Sequence, residues 1–417
     1  MMEREYDIIV WGASGFTGRL VVDYMAEQQT NSNLKWAVAG RNPQKLQQIL
    51  AGRDIPVLTA DSGDEESISA LVQQARVILT TVGPYARYGS SLVAACAKHG
   101  THYCDLTGEV HWMREMITAH QEEAKSTGAR IVHTCGFDSI PSDLGVYFLQ
   151  KHMLKTHGVP ARQIKYRPRA FSGGFSGGTI DSMIAMMEKA RADKTIFKQL
   201  ADPYVLNETQ RGLDGPDRMS AYYDEDFDSW VGPFVMAGVN TRVVRRSAEL
   251  LDGLYGNDFQ YNEGTLSGKG AAGFLGATGV GVGSGIFVGA ASMSFTRGLL
   301  QKFLPKPGEG PSDDAINKGY YDIELFGQHP TDSSKNVRVR VKGDKDPGYG
   351  STSKMIAESA LALAQDELPV AGGFWTPASA MGDQLLQRLP HSAGVTFEVI
   401  EGQEGHIDRT LGLSGRA

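Results

Sequence analysis

Asp7-Ile8-Ile9-Val10-Trp11-Gly12-Ala13-Ser14-Gly15-Phe16-Thr17-Gly18 is the stretch that decides the fold. Asp7 to Trp11 is a short apolar run stopped by a glycine, the pattern of a strand buried on both faces. Residues 16 to 28 then switch to helical spacing, with Leu20, Val21, Tyr24 and Met25 on one side. The same alternation continues outward. Leu34 to Ala39 reads as a strand, and Pro43 opens a helix where its missing N–H does no harm. Residues 55–60, 76–82, 102–106 and 130–134 read as further strands. Helices are expected at 65–74, 90–99 and about 111–127, the last two stopped by Gly100 and Gly128. Six strands separated by helices predict an α/β protein with a doubly wound parallel sheet over residues 1–140. Such sheets bind ligands beyond the carboxyl ends of their strands.

The first of those ends carries Gly12, Ala13, Ser14, Gly15, Phe16, Thr17 and Gly18, spaced GxxGxxG. Glycines let the backbone approach a pyrophosphate, and the following helix start offers unpaired N–H groups to it, so this turn predicts a dinucleotide site and the Rossmann form of the fold. The second strand ends in Gly40-Arg41-Asn42, with Lys45 one turn later. An enzyme selecting NAD carries an acid here for the ribose hydroxyl; a guanidinium suits a 2′-phosphate, so NADP(H) is the expected cofactor. Asp61 ends the third strand, either as an adenine contact or as a cap. Thr81, Val82, Gly83 and Pro84 form the turn expected beside the pyrophosphate.

Hydride transfer also needs a proton at the product. Tyr85, Asp105, Glu109 and Asp138 fall in the turns after the fourth, fifth and sixth strands. Tyr85, Asp105 and Asp138 are the candidate catalytic residues. Each has a plain structural alternative: packing beside Pro84, capping of the next helix, and an Asx turn before Pro141. His133 reads as a buried, hydrogen-bonded histidine. The net charge of −7 gives no basic footprint for nucleic acid. Cys96, Cys104 and Cys135 lack the spacing of a zinc site or a disulfide framework.

The pattern changes after Pro141, and residues 141–417 are expected to form an α+β domain for substrate binding and dimerisation. Strands are expected near 164–167, 320–326, 337–341 and 395–400, with an apolar helix over 351–365 that can pack back onto the first domain. Ser172 to Thr179 is glycine-rich and leads toward a helix at 180–192, a connector or a substrate contact. Residues 201–232 suggest an irregular lid. Residues 270–296 carry no charge. They suit a buried glycine-packed helix or the wall of a substrate channel, then a peripheral membrane contact and, least well, a span. The opening residues run directly into a strand, which predicts a cytoplasmic protein, with a peripheral place at the inner face of the plasma membrane if 270–296 docks there.

With these segments in hand, the chain resembles the saccharopine dehydrogenase-like oxidoreductases, and among them the trans-acting enoyl reductase subgroup. The resemblance runs through Gly12–Gly18, Ala39-Gly40-Arg41 and Val82-Gly83-Pro84-Tyr85, then residues 102–109 and 136–143. It continues in Ser176-Gly177-Gly178-Thr179, Pro307-Gly308-Glu309-Gly310-Pro311 and Asp346-Pro347-Gly348-Tyr349-Gly350. It implies an NADP-dependent reductase, a second mixed-sheet domain, a homodimer and a lipid-like or polyketide-like substrate in lipid or glycolipid metabolism. Two other functions stay open: an amino-acid C–N oxidoreductase of the saccharopine dehydrogenase type, and an NADPH-binding, membrane-associated protein without turnover.

Overall fold

The computed structural model describes residues 4–28, 33–173, 186–292 and 310–400. Its first part runs β1 (Tyr6–Trp11), α1 (Phe16–Gln28), β2 (Trp36–Gly40), α2 (Pro43–Leu50), β3 (Val57–Thr59), α3 (Glu65–Val72) and β4 (Ala75–Thr80). The turn α4 (Tyr85–Tyr88), α5 (Ser90–His99), β5 (His102–Cys104), α6 (Val110–Thr127), β6 (Arg130–Val132) and α7 (Ile140–His157) follow. Local chemistry sets the boundaries. Asn42 caps α2 by accepting the Lys45 N–H, ahead of Pro43. Asp64 caps α3, with Glu65 and Glu66 in the first turn.

The second part holds β7 (Gln163–Ser172), α8 (Lys194–Ala201), β8 (Tyr222–Asp224), β9 (Ser229–Gly232), α9 (Ala237–Leu250), β10 (Gln260–Glu263) and β11 (Thr265–Gly268). After these come α10 (Gly270–Ser292), α11 (Asp313–Lys318), β12 (Tyr320–Gln328), β13 (Val337–Gly343), α12 (Thr352–Gln365), β14 (Gly373–Trp375), α13 (Pro377–Arg388) and β15 (Val395–Ile400).

The first sheet has seven parallel strands in the order β14-β6-β5-β4-β1-β2-β3. The chain moves outward from β1, then returns to β4 and proceeds the other way, so a crevice opens beyond the ends of β1 and β4. Ile8 and Val10 face one core with α1 and α12, while Ile9 and Trp11 face another with α3, α5 and α6. The second sheet, β10-β7-β12-β13-β15, is mixed and covers α7. A third sheet, β11-β9-β8, carries α10.

The sequence reading also leaves out α8, α9, α11, α13, β10 and β11, and in three further features the structure differs from it. The parallel sheet gains a seventh strand, β14, seated by Gly373 N–H on the Ala129 carbonyl and Phe374 N–H on Gln121 Oε1, each 2.8 Å. Three residues beside two glycines show no periodicity to read. Residues 201–232, expected to be irregular, contain the hairpin β8–β9, whose strands are also too short for a pattern. The long helix α7 went unread because it is buried on most sides and lacks a polar stripe. Helix α12 lies against α1, β1, β4 and β5 on the first sheet, with Tyr24 Oη donating to Glu358 at 2.8 Å. The glycine-rich stretch 174–179, the start of the helix expected at 180–192 and residues 293–296 lie outside the described residues.

Asp143 knits the two halves. It is fully buried on α7 and accepts from Ser247 Oγ on α9 (2.5 Å) and from the Ala378 N–H at the start of α13 (2.8 Å). Burial pushes its carboxyl up to about 7, and that of buried Glu263 on β10 likewise to about 7. Both values lie above those of an unfolded carboxyl, about 4. Their protonated forms therefore favour folding fully below pH ~4, and that contribution is lost as pH rises through about 7. The melting temperature is expected to be higher at pH 5 than at pH 8. Asp143→Asn, which stays neutral, is expected to flatten this dependence, as scanning calorimetry across that range will show.

Candidate active site

The turn after β1 is built around two close approaches. Gly12 has φ +90°, and a Cβ there would fall 2.5 Å from Val82 Cγ2. A Cβ on Gly18 would fall 2.2 Å from the Gly12 carbonyl oxygen, so the first turn of α1 can lie on the strand end only without a side chain. Gly15 is different. It is exposed, and a Cβ there would meet nothing nearer than Gly12 O at 3.4 Å. The chain packing does not demand glycine at 15, and the missing side chain leaves the backbone open to a close approach such as a pyrophosphate would make. Ala13 is buried, while Ser14, Phe16 and Thr17 are partly exposed around the helix start. The Phe16 ring meets Tyr349 edge-on at 4.7 Å, which brings the second half of the chain to the same turn.

Neighbouring strand ends complete the crevice. Thr81 Oγ1 donates to the Gly12 carbonyl (3.3 Å), and the Val82 N–H donates to Thr80 Oγ1 (3.2 Å). Gly83 and Pro84 follow, joined by a cis peptide. Arg41, Asn42 and Lys45 are exposed beyond β2, and the Arg41 guanidinium pairs with no described residue, leaving it available to a phosphate. Asp61 Oδ1 accepts the Gly63 N–H at 2.9 Å, an Asx turn ahead of α3, whose cap is Asp64. These residues fit NADP(H): glycines 12, 15 and 18 and the start of α1 would hold the pyrophosphate, and Arg41 the 2′-phosphate.

The three candidate proton carriers sit in different surroundings. Tyr85 is buried; its hydroxyl donates to the Thr80 carbonyl (3.2 Å) and accepts the Leu106 N–H (3.1 Å), and its ring stacks on Trp112. Burial and the Asp105 carboxyl push the phenol well above its ordinary value. Asp105 is fully buried and accepts from Tyr103 Oη (2.9 Å), His133 Nδ1 (2.7 Å) and the N–H groups of Thr107 and Thr134 (3.1 Å each). Glu109 accepts the N–H groups of Tyr85 (2.7 Å) and Ala86 (3.0 Å), anchoring α4. The polar atoms of Tyr85 and Asp105 are thus engaged inside the protein. Of the three, the structure places Asp138 alone in the lining of an open cleft.

That cleft lies between the first sheet and the second and opens to solvent. Phe137 and Asp138 come from the turn after β6, and Pro168, Ala170 and Phe171 from β7. Tyr321 and Ile323 of β12, Phe234 and Met236 before α9, and Pro347, Gly348 and Thr352 at the head of α12 close it. Among the described lining residues, Asp138 is the one carboxyl, and none is lysine, arginine or histidine. Burial, aided by the nearby Asp105 carboxyl, pushes Asp138 up to about 7. Sequence reasoning missed the apolar walls, because Phe137, Phe234, Tyr321 and Thr352 are far apart in the chain and ordinary core residue types. The mark that pointed here was the position of Asp138 after a strand of the parallel sheet.

Residues 8–132 match the family model described as the saccharopine dehydrogenase NADP binding domain. A Mycobacterium tuberculosis protein whose name marks it provisionally as a trans-acting enoyl reductase is 42% identical over 418 residues, covering 95% of this chain and 97% of its own length. The trans-acting enoyl reductase of Mycobacterium ulcerans is 37% identical over 413 residues, covering 94% of this chain and 97% of its own. Among solved structures, apo saccharopine dehydrogenase (L-Glu forming) from Saccharomyces cerevisiae superposes with a TM-score of 0.53 at 11% identity, covering 95% of this chain and all of that one, a likeness of fold.

Arg41→Asp is expected to weaken NADPH binding by roughly a hundredfold, through loss of a charge-assisted contact and added repulsion. NADH, which lacks the 2′-phosphate, is expected to change little. Titration of both reduced cofactors by fluorescence checks the contrast.

Proposed function

We propose, from the premise that this chain belongs to the family of the trans-acting enoyl reductases, NADP-binding oxidoreductases of saccharopine dehydrogenase-like fold, that it reduces the carbon–carbon double bond of an apolar acyl substrate. The observation that carries this proposal is the cleft. Its described walls are aromatic, aliphatic, methionine, glycine and proline residues, with one threonine and one carboxyl among them. An acyl chain loses nothing by entering such a space, whereas a substrate with several carboxylates needs cations there. This favours an enoyl substrate over an amino-acid C–N route.

Bound NADPH supplies a hydride. The chain's own residues do the rest. The walls from β7 and β12 hold the acyl chain and exclude water from it. Asp138 holds a proton at its carboxyl, and with a pKa of about 7 it is both protonated often enough to donate and acidic enough to let go near neutral pH. Protonation of the carbon beside the carbonyl completes reduction of the double bond. Asp105 acts at one remove, fixing the backbone that leads to Asp138. Thr107 and Thr134 both hang from Asp105 Oδ1, and the Cys135 N–H bonds the Asp105 carbonyl at 2.7 Å.

Asp138→Asn keeps the volume but carries no transferable proton. It is expected to lower kcat about 10²–10⁴-fold, with the KM for NADPH little changed. In the wild type, reduction requires the protonated acid, so the rate is expected to fall as pH rises through about 7. Oxidation of NADPH by a long-chain trans-2-enoyl thioester, followed by absorbance, tests both; an unchanged rate in the variant removes Asp138 from the chemistry.

A further inference from the structure

Asp138 belongs to a turn of the first sheet, yet the residues on either side of it are held by the second half of the chain. Before it, the Phe137 N–H donates to Thr352 Oγ1 at 3.0 Å, and the same hydroxyl donates to the Pro347 carbonyl at 2.7 Å. A hydroxyl has one proton to give, so the bond to Pro347 orients the oxygen and leaves a lone pair for Phe137. After it, Ser139 Oγ donates to Asn240 Oδ1 of α9 at 3.4 Å. Asn240 Nδ2 in turn donates to Glu263 Oε2 of β10 at 3.0 Å, which fixes the end of the amide that faces Ser139. Ser139, Asn240 and Thr352 are all buried.

Three details separate these contacts from incidental packing. Ser139 is the cap of α7, a place where serine ordinarily accepts a backbone N–H of the first helical turn. Here its side chain makes no capping bond, and the hydroxyl reaches across to α9 instead. Gly136 admits Thr352, since a Cβ there would fall 2.9 Å from Thr352 Cγ2. Among the described residues no side chain bonds the Asp138 carboxyl, so its place in the cleft depends on the backbone to either side of it.

We propose that Thr352 and Asn240 are positioning residues, which act through Phe137 and Ser139 to hold the Asp138 carboxyl where substrate is protonated. The proposal rests on the reading of Asp138 as the proton donor. Asp105 holds the same turn from within the first sheet, through the N–H groups of Thr134 and Cys135. The donor is therefore fixed from both halves of the chain. Misplacement of a reacting group by about 1 Å costs roughly a hundredfold in rate.

The test takes the full chain with NADPH and a trans-2-enoyl thioester. Thr352→Val removes the hydroxyl at nearly constant volume. It is expected to lower kcat about ten- to a hundredfold with both KM values little changed. Thr352→Ser keeps the hydroxyl and is expected to stay close to the wild type. Ser139→Ala breaks the link to Asn240 and is expected to act in the same direction as Thr352→Val; should Thr352→Val melt early, it serves in its place. Both losses are expected to vanish in an Asp138→Asn background, because a residue acting only through Asp138 has nothing left to position there. A kcat unchanged by both single variants, a Thr352→Ser variant as slow as Thr352→Val, or an equal further loss on top of Asp138→Asn overturns the proposal. If no thioester is reduced, or if Asp138→Asn is as fast as the wild type, the enoyl reading fails on its own. The hold on the turn is then read from the Asp138 carboxyl, by NMR titration of carboxyl-labelled aspartate, its signal assigned by loss in Asp138→Asn. Burial, with the Asp105 carboxyl nearby, places that titration at about 7. Thr352→Val and Ser139→Ala are each expected to bring it down toward the ordinary carboxylate range as water reaches the loosened turn. A titration unmoved in both variants overturns the proposal.

Discussion

The carboxyl of Asp105 accepts hydrogen bonds from a phenol, an imidazole and two backbone N–H groups, and the carboxyl end of the parallel sheet is organised around it. A fully buried carboxyl is tolerated only with such partners, because a missing one leaves an uncompensated polar atom in a low-dielectric interior. In return it fixes two strand ends at once. The turn after β5 is held through Thr107. The turn after β6 is held through Thr134, a β-branched residue kept at φ +61°. That conformation is costly for threonine and persists only where neighbours enforce it. It redirects the chain so that Cys135 to Phe137 pass over the sheet and Asp138 reaches the cleft. The carboxyl that the sequence marked as a proton carrier is, by its bonds, a positioning residue, and Asp138, on the turn it helps to hold, is the carboxyl that lines the cleft.

The crevice beside β1 and β4 has a separate origin. There the determining fact is steric: Gly12 and Gly18 meet more closely than any side chain allows. Cofactor and substrate regions are therefore set by different physics, one by the absence of side chains and the other by a buried hydrogen-bonded carboxyl. The Phe16–Tyr349 ring contact links the cofactor turn to the segment before α12, whose Pro347 and Gly348 line the cleft. Helix α12 joins them. It packs beneath the first sheet, while Thr352 at its head accepts the Phe137 N–H at 3.0 Å and lines the cleft.

Legibility followed the length and regularity of each element. β1, α1, α2 and α5 announced themselves because apolar period, proline, glycine and capping residues all agreed. The cofactor turn was legible for the same reason, since glycine spacing and the arginine after β2 are local in sequence. β14 was not, being three residues pinned by distant partners, Ala129 and Gln121. The cleft was not either, since its walls come from both halves of the chain and consist of residues that would look alike in any core. Asp105 and Asp138 illustrate the limit. Sequence position placed both near the reacting centre, but only the bonding around each separates the one that holds the turns from the one that faces the cleft.

The central claim is that an acid held at Asp138 protonates an enoyl substrate in this cleft. The most direct measurement is the fate of solvent deuterium when NADPH and a trans-2-enoyl thioester react in deuterium oxide. Delivery by a fixed side chain predicts one deuterium on the carbon beside the carbonyl, on a single face, with the cofactor's hydrogen on the next carbon. Deuterium distributed over both faces, or consumption of NADPH by a ketone or an imine and none by the enoyl thioester, would contradict it.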